Sequence, residues 1–196
     1  MDHLPFFFCD SVAATFKEVR HLKRCLPALS NNWRNWRAAF EDHAMNRSSY
    51  ELKITLADQQ WFYQFQNVEN RSVYSFEQIQ EVKPNHLRVS SLYIGCFSRR
   101  TPSSFSSICE IMKHVAPCLD AASLTLCSTK AEDADMAHLL RYLNNASIEI
   151  ITLHEIRESH EAFIRRQLKS LSFKKFCGSF CPICPKSCLL FVGCFQ

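Results

Sequence analysis

Apolar positions follow a helical period in the N-terminal stretch, alternate strictly after Tyr50, and settle after Pro84 into a repeated strand-then-helix rhythm. Cys9, Val12, Ala13 and Phe16 sit at the i, i+3, i+4, i+7 spacing of a buried helical stripe, and Pro5 stands where a first-turn proline is tolerated. A polar connection rich in Lys and Arg leads to Leu26-Pro27. Ser30 can cap a second helix, in which Trp33, Trp36 and Phe40 share one face while Arg34, Arg37 and Glu41 stay wet. Leu52, Ile54 and Leu56 then alternate with Glu51, Lys53 and Thr55. Asp58 marks a turn, and the aromatic run at residues 61–65 completes a β-hairpin. Residues 66–84 are polar and weakly patterned and read as connector.

Beyond Pro84 the pattern predicts strands at residues 87–94, 123–126, 148–153 and 172–176. Ile108, Ile111, Met112 and Val115 make one helical stripe between them, and Met136, Leu139, Leu140 and Leu143 make a second. A third helix follows Ser159, with Ile164, Leu168 and Leu171 inward. Thr129 to Glu132 and Ser107 to Glu110 each fit a capping box. One apolar stripe per helix covers one sheet face, so this region predicts a sheet of at least three parallel strands with helices on one side. Taking Leu92, Leu124, Ile151 and Phe173 as equivalent gives intervals of 32, 27 and 22 residues. Two of the three fall within the leucine-rich-repeat range, and the Asn expected after each strand is missing. The layer is repeat-like rather than a regular horseshoe.

Composition narrows the function classes. Three glycines in 196 residues leave nothing from which to build a Gly-rich phosphate loop, a dinucleotide fingerprint or a nucleophile elbow. Binding is therefore expected rather than catalysis, with no cofactor. A net charge of +4 is too balanced for a nucleic-acid arm. Residues 157–196 carry 7 basic and 2 acidic groups, and Arg165, Arg166, Lys169, Lys174 and Lys175 read as the solvated face of a helix and its strand. Trp61, Phe62, Tyr63 and Phe65 could stack bases, but hairpin alternation accounts for them without a ligand. The apolar run at 189–195 is too short to span a bilayer, and the N-terminus lacks the basic region of a signal peptide. No membrane association and a cytoplasmic or nuclear location are the expectations, so the sequons at Asn46, Asn70 and Asn145 count as chance matches.

Candidate chemistry is sparse. His154-Glu155 and His160-Glu161 hint at a zincin helix, but their histidines lie six apart rather than four and point to different sides of a helix. His43, His86, His114 and His138 stand alone in sequence and read as solvated or core histidines. Of eleven cysteines, Cys9, Cys25, Cys96, Cys109, Cys118 and Cys127 are spread through apolar patterns and read as reduced packing residues. The remainder crowd the C-terminus. Cys177, Cys181, Cys184 and Cys188 are the weak metal candidates, since dense thiolates can hold a metal, although only Cys181 and Cys184 form a C-x2-C pair. An unstructured, oxidisable tail dispensable for folding is the leading reading of residues 177–196.

The order Leu4-Pro5, apolar helix with Phe8 and Val12, then Leu29-Ser30-x-x-Trp33 resembles an F-box. The longer match, an opening Met1-Asp2-x-x-Pro5-Phe6-x-Phe8 and a later His160-Glu161-x-Phe163 before a basic helix, resembles the expanded F-box-like families of Caenorhabditis nematodes over residues 1–176. The chain departs from the family in the charged stretch at residues 17–27 and in the cysteine-rich end. The resemblance implies an α+β or α/β chain with an F-box-like helical module at 1–46, a β-hairpin and connector at 47–84, an irregular leucine-rich-repeat-like βα substrate-recognition region at 85–176, and the Cys-rich tail at 177–196. It implies a non-enzymatic substrate receptor, a monomer within a cullin-RING ubiquitin-ligase complex. Leu4, Pro5, Phe8, Val12, Leu29 and Trp33 would bind the ligase's adaptor subunit, and the βα region would bind an unknown protein substrate. The alternatives are a stand-alone protein-protein interaction protein, in which these helices cap the β-rich core, and a metal-binding regulator acting through the tail.

Overall fold

The computed structural model describes residues 4–16, 19–29, 33–95, 101–127, 131–155, 157–170 and 173–178. Three helices come first: α1 (Phe6–Thr15), α2 (Val19–Cys25) and α3 (Arg34–Asn46). The Lys- and Arg-rich connection predicted between the first two apolar segments is α2. Its Leu22 is completely buried and Cys25 packs on the same core, too few apolar positions among the charges to make a readable period. Trp33 holds the N-cap position of α3, and Ser30, the predicted cap, lies outside the described residues.

A single residue, Arg47, links α3 to the first strand. The hairpin β1 (Ser48–Ala57) and β2 (Gln60–Asn67) pairs antiparallel with Ile54 opposite Tyr63. Its turn residues Asp58 and Gln59 both have positive φ, 51° and 62°, as the right-handed strand twist demands of a two-residue loop. The stretch at residues 66–84 is more ordered than its composition predicts. It holds β3 (Val73–Tyr74) and α4 (Phe76–Gln80), the latter closed by a reciprocal cap between Ser75 and Gln78.

The rest alternates strand and helix: β4 (Leu87–Ile94), β5 (Thr101–Ser103), α5 (Phe105–Val115), β6 (Leu119–Leu126), α6 (Asp133–Tyr142), β7 (Ile148–Leu153), α7 (Glu158–Gln167) and β8 (Lys175–Gly178). All eight strands join one mixed sheet, ordered β3-β2-β1-β4-β6-β7-β8, with β5 also pairing β2. The pairs β1 with β4, β4 with β6, β6 with β7 and β7 with β8 are parallel. Each step from β4 to β8 moves the same way across the sheet, so crossovers of one hand stack their helices on one face.

Side-chain burial follows this plan. Leu52, Leu92, Leu124 and Ile151 stand in register and share one core with Ile108, Ile111, Met112 and Val115 of α5, Met136, Leu139 and Leu140 of α6, and Phe163 and Ile164 of α7. The opposite face carries Ser91, Ser123 and Ile150 in one row and Tyr93, Thr125 and Thr152 in the next. Ile150 is exposed there.

Several boundaries differ from the pattern. Strand β6 begins at Leu119 rather than residue 123, because a register shift and Ala121 at φ 54° interrupt the alternation. The residue equivalent to Ile151 in β8 is Phe176, not Phe173. Helix α5 is capped by Ser104, which accepts from the Ser107 N–H, so Ser107 lies inside the helix it was predicted to cap. Helix α7 starts at Glu158, and Leu168, predicted inward, is exposed just beyond it. Cys177 and Gly178, assigned to the tail, end β8. Where β4 ends, Gly95 permits a close approach, since a Cβ there would lie 2.6 Å from that of Cys127.

Candidate functional site

Helix α1 carries three consecutive exposed aromatic residues, where the other large apolar residues exposed among the described ones, Met45, Val73, Ile150 and Leu168, stand singly. It runs ten residues, and only Cys9 and Ala13 are buried. Phe6, Phe7 and Phe8 are 45%, 72% and 43% exposed. Three consecutive aromatics on a helix project about 100° apart, so they cannot all face one core. Pro5 supplies the extended residue before the helix, at φ −59° and ψ 146°. Phe8 is not wholly free, because its ring meets Trp36 of α3 edge to face at 6.0 Å. Trp36 continues the cluster to Phe40 at 6.1 Å, and Phe40 to Phe16 at 5.1 Å.

The six residues singled out for adaptor binding divide. Leu4 and Leu29 are half-buried and pack on the helices' own core of Cys9, Ala13, Leu22, Ala39, Phe40 and Ala44. Pro5 and Phe8 are exposed, whereas Val12 and Trp33 are half-buried. Leu4, Leu29 and Phe8 thus converge on one helical unit from different elements. Phe6 and Phe7 stand outside the six adaptor-binding residues that the resemblance implies, although a run of three aromatics in a short helix is itself a signal.

Beside α1 lies a cleft of about 360 Å³ lined by Phe6, Asp10, Asp42, Lys83, Asn85 and His86. Pro84 also lines it, and the cleft's two carboxylates are hydrogen-bonded within the protein. Asp10 Oδ1 accepts from His43 Nε2 at 2.9 Å, and its Oδ2 accepts from Asn85 Nδ2 at 2.9 Å. Asp42 Oδ2 accepts from His86 Nε2 at 2.9 Å, while Oδ1 accepts from Asn46 at 2.6 Å. Burial alone would raise the Asp42 carboxyl, but the hydrogen bonds from Asn46 and His86 with the nearby His86 and Lys83 charges outweigh it and hold the group below its ordinary value. Burial, reinforced by the charge of Arg88, pushes the Arg47 guanidinium down to about 10, which leaves it charged at neutral pH. Each carboxylate oxygen already accepts a bond, so this cleft reads as a junction holding the helices to the sheet.

The other predicted features fall apart in space. Cys177 is half-buried in β8, and Cys181, Cys184 and Cys188 lie outside the described residues. Among the described residues no group of three or more His, Cys, Asp or Glu side chains could hold a metal ion. Cys9, Cys25, Cys109, Cys118 and Cys127 are free thiols, and burial raises those of Cys9, Cys109 and Cys118, which disfavours the reactive thiolate. Arg165 is paired with Glu161 at 2.6 Å and Lys174 with Glu149 at 3.0 Å on the exposed surface. Trp61, Tyr63 and Phe65 are buried in the sheet's core. No described helix is long and apolar enough to cross a membrane.

Comparison of the chain with protein-family models, with curated proteins and with solved structures finds no match.

Proposed function

We propose that this chain is a non-enzymatic substrate receptor of a cullin-RING ubiquitin ligase, working in the cytoplasm or nucleus, with α1 as the centre of its adaptor-binding surface. The observation that carries the reading is the exposure of Phe6, Phe7 and Phe8 beside Pro5. Exposed aromatics in a cluster are the usual anchors of a protein interface, and they cost solubility unless a partner covers them. Pro5, Phe6, Phe7 and Phe8, with Val12 and Trp33 at the margin, would contact the adaptor. The open face of the sheet would receive the protein substrate, through the row of Ser91, Ser123 and Ile150 and the row of Tyr93, Thr125 and Thr152. The F-box resemblance of the N-terminal segment supports the adaptor as the partner.

A second reading, a stand-alone interaction protein, draws on one specific observation: Leu4 and Leu29 pack against the helices' own core. In that reading they are packing residues. One experiment separates the two. The full chain is expressed with an affinity tag, and its bound proteins and melting temperature are determined before and after Pro5→Ala and, separately, Phe7→Ala. The ligase reading expects an adaptor subunit with the unmodified chain, and its loss in a variant that still melts normally. A chain that captures no adaptor overturns it.

A further inference from the structure

The junction between the N-terminal helices and the sheet is built around His43, whose ring is fully buried. Three elements face it. From α1, Asp10 Oδ1 lies 2.9 Å from Nε2. From the residue that ends α3, Arg47 Nη2 lies 2.8 Å from Nδ1. From the turn before β4, the ring of His86 meets it edge to face with centroids 5.1 Å apart. A guanidinium only donates and a carboxylate only accepts, so both neighbours are satisfied by neutral His43 with its proton on Nε2. The surrounding charges are Asp42 on α3, bonded to His86; Lys83 in the turn before β4, acting on Asp42; and Arg88 on β4 and Asp120 on β6, both acting on Arg47.

The same node holds the end of α1. Arg47 donates to the carbonyl of Ala13 at 2.8 Å and to that of Phe16, Arg88 donates to the carbonyl of Ala14, and Asn85 bonds Asp10. We propose that it is an acid-operated latch, in which a solvent proton taken up at Nδ1 of His43 sets two donors and two positive charges face to face, breaks the Arg47 contact, and loosens α1 from the sheet while the sheet stays folded. The direction of the response follows from linkage. Burial, then the charge of Arg47, pull the imidazole below its ordinary value. The unfolded chain therefore binds the proton more readily than the folded one, so the junction's stability is full above the unfolded value of about 6.5 and is lost as pH falls toward the folded one. The latch does not depend on what α1 binds.

Amide hydrogen exchange of the full chain, corrected for intrinsic rates, tests this between about pH 7.5 and about pH 5.5, where α1 amides should lose about tenfold more protection than those of β6 and β7. His160, buried on α7, is also held below its ordinary value and reports separately through α7 amides. Equal loss in α1 and β6, or loss confined to α7, would overturn the latch. In His43→Gln, whose amide can donate to Asp10 and accept from Arg47 without titrating, α1 protection should no longer depend on pH. Should that variant not fold, nitrogen NMR of the His43 ring in the unmodified chain still decides. The latch requires the proton on Nε2 at neutral pH and a midpoint below that of free histidine; a midpoint at or above it contradicts the proposal.

Discussion

The helical N-terminus and the sheet with its covering helices place their apolar residues in opposite ways. In the sheet unit, Leu, Ile, Phe and Met side chains fill one continuous core from β2 to α7. Among the described residues of the N-terminal unit, the buried apolar side chains are Cys9, Leu22, Phe40 and three alanines, while Phe6, Phe7, Phe8 and Met45 are exposed. The small core is supplemented by polar ties through Arg47, His43 and Asp10. Large side chains held in water by a marginal core are hard to explain as packing and easy to explain as a contact surface. This contrast supports the proposal that the sheet is the scaffold and α1 the surface offered to a partner.

Truncating the scaffold should cost most. Leu124 stands in the middle of the sheet between Leu92 and Ile151, and Leu124→Ala should destabilise by about 2–5 kcal/mol in urea titration. A loss under about 1 kcal/mol would mean that the two units do not differ as described. Arg47→Ala comes next, at roughly 1–3 kcal/mol, because it removes the guanidinium donor from Nδ1 of the buried His43 and from the Phe16 carbonyl, and leaves the Ala13 carbonyl with the Phe16 N–H alone. Its effect should be local, with exchange rising in α1 and little change in β7.

Acid should also act on the scaffold, at the far end. His160 Nδ1 accepts from the Arg157 N–H at 3.4 Å, and burial, then the Arg157 charge, hold the ring below its ordinary value. The folded form again resists protonation, so stability should fall as pH drops below about 6.5, and His160→Gln should flatten that slope in melting curves. A smaller effect has the opposite sign. Gln59 sits at φ 62° in the hairpin turn, where glycine carries no steric penalty, so Gln59→Gly should stabilise by up to about 1 kcal/mol. A measured loss would mean that Gln59 is not held in the left-handed region.

Legibility in the sequence followed the same division. The stripes of α5 and α6 and the alternation of β1, β2, β4 and β7 are long, regular and paired with a large core, so periodicity locates them. Helix α2 escaped because Leu22 and Cys25 are too few apolar positions among its charges to mark a period, and α4 because five residues are too few for one. The Ser75-x-x-Gln78 cap was present as a signal and was not used. The bulged start of β6 breaks alternation at Ala121, which no pattern of apolar residues anticipates. At the site, the F-box-like order picked out Pro5 and Phe8, which are exposed, together with Leu4 and Leu29, which pack inward. Spacing alone does not say which side of a short helix meets its own core. The Asp10, His43 and Asn85 node joins residues 33 and 75 positions apart, and isolated polar residues carry no mark of such a meeting.

The claim that α1 meets the adaptor is tested most directly by titrating purified adaptor subunit into the full chain and into Phe7→Ala, with melting temperatures recorded alongside. Phe7 is 72% exposed, so its truncation should change stability by no more than about 0.5 kcal/mol. The account predicts saturable binding by the unmodified chain and an affinity loss of about tenfold or more in the variant. Absence of binding by the unmodified chain, or equal affinity in the two, would contradict it.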